Sequence, residues 1–356
     1  MGNPNYDLPS ALRAPTLVKA IIPVAGAGAK LRPLTYTQPK ALIPIAGKTL
    51  LSIIVDQLLE GGVNEFIFVI GYLGEKIRDY VEATYPDLNK QYVQQTHRRG
   101  IGHAVWLTRN AVGPDEEVVI VLGDTVAEYD IKKMLSAPVS QIAVRKVDDP
   151  RSFGVAEMDA ANRIYRVVEK PLIPKSNLAM VGVYYLRESA ALFGALEAQL
   201  DPVCGKGVEE YHLTHAIQDM IQQDIPIHAF RVDNWYDCGK KETLLATNAL
   251  LLNQMAEQGD FPLSLAELNA QHPEAVFIPP VHVAPGCAFR QSIIGPNVSI
   301  GENTTVARAI IRDSIIGSYA ELKDVSLHQS IIGNDAFVHG ASQSLNIGDN
   351  TEIDLR

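Results

Sequence analysis

From residue 21 to residue 45 the chain reads IIPVAGAGAKLRPLTYTQPKALIPI. An apolar run ends at Gly26 and Gly28, and the cations Lys30, Arg32 and Lys40 follow. Small residues from Ala25 to Ala29 leave backbone N–H groups uncovered, and the cations can converge on them. Backbone donors with fixed positive charge suit a triphosphate. Neither familiar phosphate-loop pattern is present, however. There is no GxxxxGK[ST] run, and Leu31 stands where GxGxxG requires its third glycine. Read alone, such a turn is as often a packing device as a phosphate cradle.

Other residues could act on the same ligand. Asp124 closes the run VVIVLGD, which puts a carboxylate at the carboxyl end of an apolar strand. There it can hold Mg²⁺, a hard cation that prefers oxygen, or merely cap the next turn. Asp237 in WYDCG offers the same choice: a second metal ligand, or a turn residue before Gly239. Glu169 and Lys170 in VVEKP are a neighbouring acid and base, either a placed pair or a solvated one. The histidines have no ligand spacing, and Cys204, Cys238 and Cys287 form no CxxC pair. Neither a zinc site nor a disulfide framework is expected.

A scaffold must gather these residues. The 356 residues suggest two domains, and 47% hydrophobic content allows a sizeable core. Net charge −10 disfavours nucleic acid or an anionic membrane as partner, so anionic ligands need locally placed cations. The first residues, MGNPNYDLPSALRAPT, lack the basic and apolar regions of a signal peptide, and no apolar stretch is long enough to span a bilayer. A cytoplasmic protein is expected. Strands are expected over residues 18–24, 65–70, 117–122, 141–147, 163–168, 180–186 and 226–232. Amphipathic helices over 50–59, 76–83 and 212–222 lie among them. This alternation argues for an α/β domain with a mostly parallel sheet, whose ligands sit beyond the carboxyl ends of the strands.

The tail has another period. SIIG occurs at residues 292–295, 314–317 and 330–333, and LNIG at 345–348. The aliphatic before each glycine is echoed six residues later: Ile294 and Ile300, Ile316 and Leu322, Ile332 and Val338, Ile347 and Ile353. That is the signature of a parallel β-helix. The expected organisation is an N-terminal extension (1–17), an α/β domain (18–252), a helix end and Pro-bearing linker (253–280) and a β-helix (281–356).

With PVAGAGAKLRPLT and PKALIPI come QTHRRGIGHA, LGDT, FGVAEM, VVEKP, AMVGVYYL, EEYHLTHAI and WYDCGKKETLLATNALLL. In this order the chain resembles the sugar-1-phosphate nucleotidylyltransferases, especially the long glucose-1-phosphate thymidylyltransferase with a C-terminal left-handed β-helix. The resemblance implies a Rossmann-like domain and the reaction of an NTP with a sugar-1-phosphate to give NDP-sugar and pyrophosphate. It implies in-line attack of the sugar phosphate oxygen on the α-phosphorus with Mg²⁺ bridging, and no protein nucleophile. By the same resemblance, Ala25, Gly26, Gly28, Gln95 and Gly100 bind nucleotide, with Gln95 on the edge of thymine or uracil. Lys30 and Lys40 meet phosphate and Lys170 the sugar phosphate, while Gly154, Glu169 and Tyr184 meet the sugar. Asp124 and Asp237 hold the metal. His103 starts a helix behind the nucleotide.

This chain departs from the family in three places. Ala29-Lys30 replaces the usual Thr-Arg, so the bidentate fork is lost. His215 replaces an Asp, and Val208 falls near an expected Arg, for which Lys206 could substitute. A weak regulatory homologue is therefore one alternative. A bifunctional enzyme with an acyl-transferring β-helix, using His328 or His339, is another. The β-helix is expected to drive homo-oligomerisation.

Overall fold

A computed structural model describes residues 18–200, 210–340, 342–343 and 345–354. The extension 1–17 and the positions Lys206 and Val208 lie outside the described residues. Four parallel strands lead the main sheet in the spatial order Asn89–Gln94, Glu65–Ile70, Val18–Pro23, Glu117–Val121. The sheet continues through Leu178–Leu186, which runs antiparallel to Glu117–Val121, to Gly154–Met158 and Ile164–Glu169. Ser140–Lys146 also pairs with Leu178–Leu186 and, in parallel, with Ile227–Arg231.

The inner parallel strands are apolar on both faces because helices cover both. Ile22, Phe66 and Phe68 pack with Leu51, Val55 and Leu58 of helix Leu50–Glu60 on one side. Ile21, Ile67 and Ile120 pack with Val105, Leu192, Ile217 and Met220 on the other. Helix Leu50–Glu60 starts at a capping box, Thr49 with Ser52. The strand Asn89–Gln94 escaped the sequence reading because its composition, NKQYVQ, is polar, as suits an edge strand.

Helix Lys241–Gln258 leads to a short helix, Leu265–Gln271, and then to Ala275–Phe277, the first rung of the solenoid. The β-helix ladder thus begins inside the segment read as linker. Three parallel sheets of five strands each form its sides, the left-handed β-helix expected. Apolar columns fill it: Phe277, Ile294, Ile311, Leu327; Ile300, Ile316, Ile332, Ile347; Val306, Leu322, Val338, Ile353. Left-handed backbone marks the corners, at Asn297, Asn303, Asp313, Asp324 and Asp335 among others, residue types that tolerate it.

The SIIG copies are not four rungs of one side: residues 292–294 lie on a different sheet from 315–316, 331–332 and 346–347. The motif is local to a strand followed by a corner, and two of the three sides carry it.

The two parts are joined by a buried amide. Asn248 Oδ1 accepts from Ala46 N (2.9 Å) and from Ser299 Oγ (2.6 Å), and Asn248 Nδ2 donates to Asn297 O (3.3 Å). Leu31, Leu34, Ile43 and Ile45 pack with Ile315 and Ile331. At the far end of the solenoid, Thr37 Oγ1 donates to Asp349 Oδ2 at 2.6 Å.

Candidate active site

The glycine loop leaves strand Val18–Pro23 at its carboxyl end. Gly28 takes a left-handed conformation (φ 59°), and a Cβ there would lie 2.8 Å from Thr35 Cγ2, so only glycine turns the chain here. Thr35 Oγ1 donates to Gly28 O at 2.8 Å and holds the turn. Gly26 is different: a Cβ would meet nothing within 4 Å. That open space is a pocket, lined by Ala25, Gly26, Gly28, Lys40, Gln95, Arg98, Gly100, Asp124 and Glu210 among others.

A second pocket adjoins it, lined by Lys30, Gly154, Glu169, Lys170, Tyr184, Thr214 and Asp237 among others. Both are bounded by Gly28, Lys40, Ile101, Leu122 and Asp124. Ala25, Gly26, Gly28, Lys30, Lys40, Gln95, Gly100, Asp124, Gly154, Glu169, Lys170, Tyr184 and Asp237 each line one pocket or the other, whereas Arg32 and His103 line neither.

Charge is concentrated where the pockets meet. Lys40 Nζ lies 2.6 Å from Asp124 Oδ2. Strand Asn234–Asp237 pairs antiparallel with Thr125–Glu128, setting Asp237 opposite Thr125, and Cys238 N donates to Asp124 O at 3.1 Å. Burial pushes the Asp237 carboxyl above the ordinary carboxylate range, and the neighbouring Asp124 charge adds to this; Lys40 and Lys30 partly offset it. Two carboxylates that repel each other, one already matched by a lysine, are a donor set that fits a divalent cation with oxygen ligands. Among the described residues no group of three or more acidic, His or Cys side chains gathers for a metal, so other ligands would be water or phosphate oxygens. The Cys238 thiol is fully buried and pushed up to about 12 by that burial, which leaves it a neutral packing group.

The second pocket is organised around Glu169. Thr214 Oγ1 donates to Glu169 Oε2 at 2.6 Å, Lys170 Nζ lies 3.4 Å from Oε1, and His212 Nδ1 lies 4.0 Å from Oε1. Lys170, just past the end of strand Ile164–Glu169, has φ 40°, a left-handed bend. Gly154 pairs with Glu169 across the strands, and a Cβ there would collide with the Met180 methyl. Tyr184 is buried, and its phenol pKa is raised by that burial and by the charges of Glu169 and Asp124. It is both a core residue and part of the pocket wall.

Gln95 differs from the expectation in detail. Its side chain is buried, and Nε2 points inward, 3.1 Å from Gly100 O and 3.1 Å from His103 Nδ1. His103 lies in helix Gly100–Trp106, with its pKa lowered chiefly by burial. The amide donor is spent inside the protein, so Gln95 offers the pocket its oxygen only.

The nucleotidyl transferase family matches residues 19–254. The chain belongs to that family. It is 30% identical to the low-salt glycan biosynthesis nucleotidyltransferase Agl11 of Haloferax volcanii, over 95% of this chain and all of that protein. It is 26% identical to a glucose-1-phosphate thymidylyltransferase of Streptomyces antibioticus, again over 95% and 100% of the two chains. A solved UDP-glucose pyrophosphorylase in complex with UDP-glucose superposes with TM-score 0.59 at 25% identity, covering 67% of this chain and all of that one.

Within this nucleotidyl transferase, the sequence reading passed over Thr214, His212 and Arg98. Thr214 and His212 stand in the quoted EEYHLTHAI, but nothing in that spacing says that they face Glu169 across 45 and 43 residues. Arg98 stands between Gln95 and Gly100, in view but unassigned. His215, the substitute for the family Asp, is exposed; its ring packs on that of His212, 5.3 Å between centroids, and it lines neither pocket. The other candidate histidine pair is split: His339 Nε2 lies 2.9 Å from Asp324 Oδ2, whereas His328 is exposed.

Proposed function

We propose that this enzyme transfers a nucleotidyl group from dTTP or UTP to a hexose-1-phosphate, with glucose-1-phosphate the favoured acceptor, and releases pyrophosphate. The observation that carries this is the pair of pockets meeting at Lys40 and Asp124. On this reading two phosphate-bearing substrates, one in each, meet at that boundary.

On this reading the base lies against Gln95 and Gly100, and the triphosphate follows the open side of Ala25, Gly26 and Gly28. Lys30 and Lys40 neutralise its phosphates; Lys40 exchanges Asp124 for a phosphate oxygen. Lys170 holds the sugar phosphate. Glu169, oriented by Thr214, accepts from sugar hydroxyls beside Gly154 and Tyr184. A sugar phosphate oxygen then attacks the α-phosphorus in line, the bond to the bridging oxygen opens, and pyrophosphate leaves with the electron pair. No side chain becomes bonded to phosphorus; the residues position and neutralise. Asp124 and Asp237 would hold Mg²⁺, which when bound supplies charge neutralisation at the phosphates.

The test is pyrophosphate release from dTTP, UTP, GTP and ATP, each with glucose-1-phosphate, N-acetylglucosamine-1-phosphate and mannose-1-phosphate. Turnover is expected with dTTP or UTP and glucose-1-phosphate. No release with any pair would overturn the reading and favour a regulatory homologue.

A cytoplasmic, homo-oligomeric enzyme belongs to the same proposal. Among the described residues no helix is long and apolar enough to cross a membrane. On one outer face of the β-helix, Val276, Ile293 and Ile310 stand in register on successive rungs, exposed by 56%, 38% and 50%. A flat outward column of aliphatics suits a second copy of the same surface.

A further inference from the structure

We infer that Arg98 is a specificity-determining residue of the nucleotide pocket, donating to a carbonyl of the base. The inference rests on the proposed use of a thymidine or uridine nucleotide.

The edge of thymine or uracil presents an acceptor, a donor and an acceptor: O4, N3–H and O2. The buried Gln95 amide has turned its nitrogen to Gly100 O and His103 Nδ1, so its oxygen alone can meet the base, and it matches N3–H. The two flanking carbonyls then need donors from elsewhere. One can come from a backbone N–H of the loop opening helix Gly100–Trp106. For the other, the side chains lining this pocket offer few candidates. Lys40 is engaged by Asp124, and Glu210, whose Cγ lies against Gly100, can only accept as a carboxylate. Arg98 remains. Arg98 lines the pocket from its exposed rim, three residues from Gln95, and no hydrogen bond or ion pair engages it among the described residues. Its neighbour Arg99 is occupied differently, stacked on the Tyr211 ring at 5.5 Å.

A guanidinium is an obligate donor, so where it meets O4 it also discriminates. Cytosine places an amino group where uracil has O4, and two facing donors repel. A purine with an amino group at that place is rejected in the same way. Arg98 lines the first pocket and not the second, whereas Asp124 bounds both. Loss of Arg98 should therefore change KM for the nucleotide and leave kcat alone.

The experiment is steady-state kinetics of wild type, Arg98→Met and Arg98→Lys with dTTP, UTP, CTP and GTP, varying each nucleotide and glucose-1-phosphate separately. Arg98→Met is expected to raise KM for dTTP and UTP by roughly 10- to 100-fold, the range for losing a charged hydrogen bond. KM for glucose-1-phosphate and kcat should stay within about twofold, CTP should lose less than dTTP, and Arg98→Lys should restore part of the loss. Unchanged KM for dTTP and UTP would overturn the assignment, because backbone donors would then suffice. So would an equal rise for all four nucleotides, which would reduce Arg98 to a general attraction for phosphate. A wild type inert with every pair fails the reading of the enzyme itself, and is seen before any variant is made.

Discussion

Lys40 and Asp124 hold each other at 2.6 Å, and Asp237 stands nearby with its carboxyl pKa raised, so the reacting region has one carboxylate matched and one not. Removing either carboxylate removes an oxygen ligand for the divalent cation. Asp124→Asn and Asp237→Asn should each lower kcat by roughly 100-fold or more with circular dichroism unchanged. Near-normal turnover at low Mg²⁺ in either would end its assignment. The two variants should differ in stability. A carboxyl with a raised folded pKa binds its proton more tightly folded than unfolded. It favours folding at low pH and costs stability once the pH has risen through the folded value. In EDTA, Asp237→Asn should therefore melt above wild type near about pH 7 and gain nothing near about pH 3. An equal or lower melting temperature at the higher pH would contradict the burial penalty. Lys30 lines the second pocket as a point charge, without the bidentate fork of a guanidinium. Lys30→Arg should lower KM for the triphosphate by up to about tenfold. A large loss instead would mean that the site is shaped around the ammonium group.

The elements that carry these residues were legible to different degrees. Strand Glu65–Ile70 and the helix over 213–222 stand out because their apolar periods are strong, and the β-helix because its period repeats. Gly154–Met158 and Asn234–Asp237 did not, since short strands with mixed composition are decided by their partners rather than by themselves. The same limit applies inside the site. A lone carboxylate after a strand could be read at Asp124, but its lysine stands 84 residues earlier, and only the fold sets them in contact. Gln95 was read as a residue facing the base; that its nitrogen turns back to His103 depends on burial no local pattern records. At this scale Asn248 is the decisive joint. Its loss strips partners from Ala46 N, Ser299 Oγ and Asn297 O at once. Asn248→Ala should destabilise by about 2–4 kcal/mol, since each stranded buried group costs roughly 1–3 kcal/mol and neighbouring losses overlap. Thermal unfolding should show the helix and the solenoid separating earlier than in wild type. A melting temperature within about a degree of wild type would show that the apolar contacts around Ile315 and Ile331 suffice.

For the molecule as a whole, the aliphatic column Val276, Ile293 and Ile310 predicts the assembly. Ile293→Glu with Ile310→Lys should reduce the sedimenting mass toward that of one chain, while turnover per chain is kept, because the column lies on the outer face of the β-helix and lines neither pocket. A variant that sediments as wild type would move the interface elsewhere. The hydrogen bond from Thr37 to Asp349 has a consequence of another kind, one of timing. Its partners are 312 residues apart, so the loop beside the phosphate cradle leaves the ribosome long before the aspartate that ties it. At about 5–20 residues per second that interval is roughly 15–60 seconds. Through all of it the earlier-made cradle waits for a later-made partner, and a chain still being translated has the cradle but not its tether.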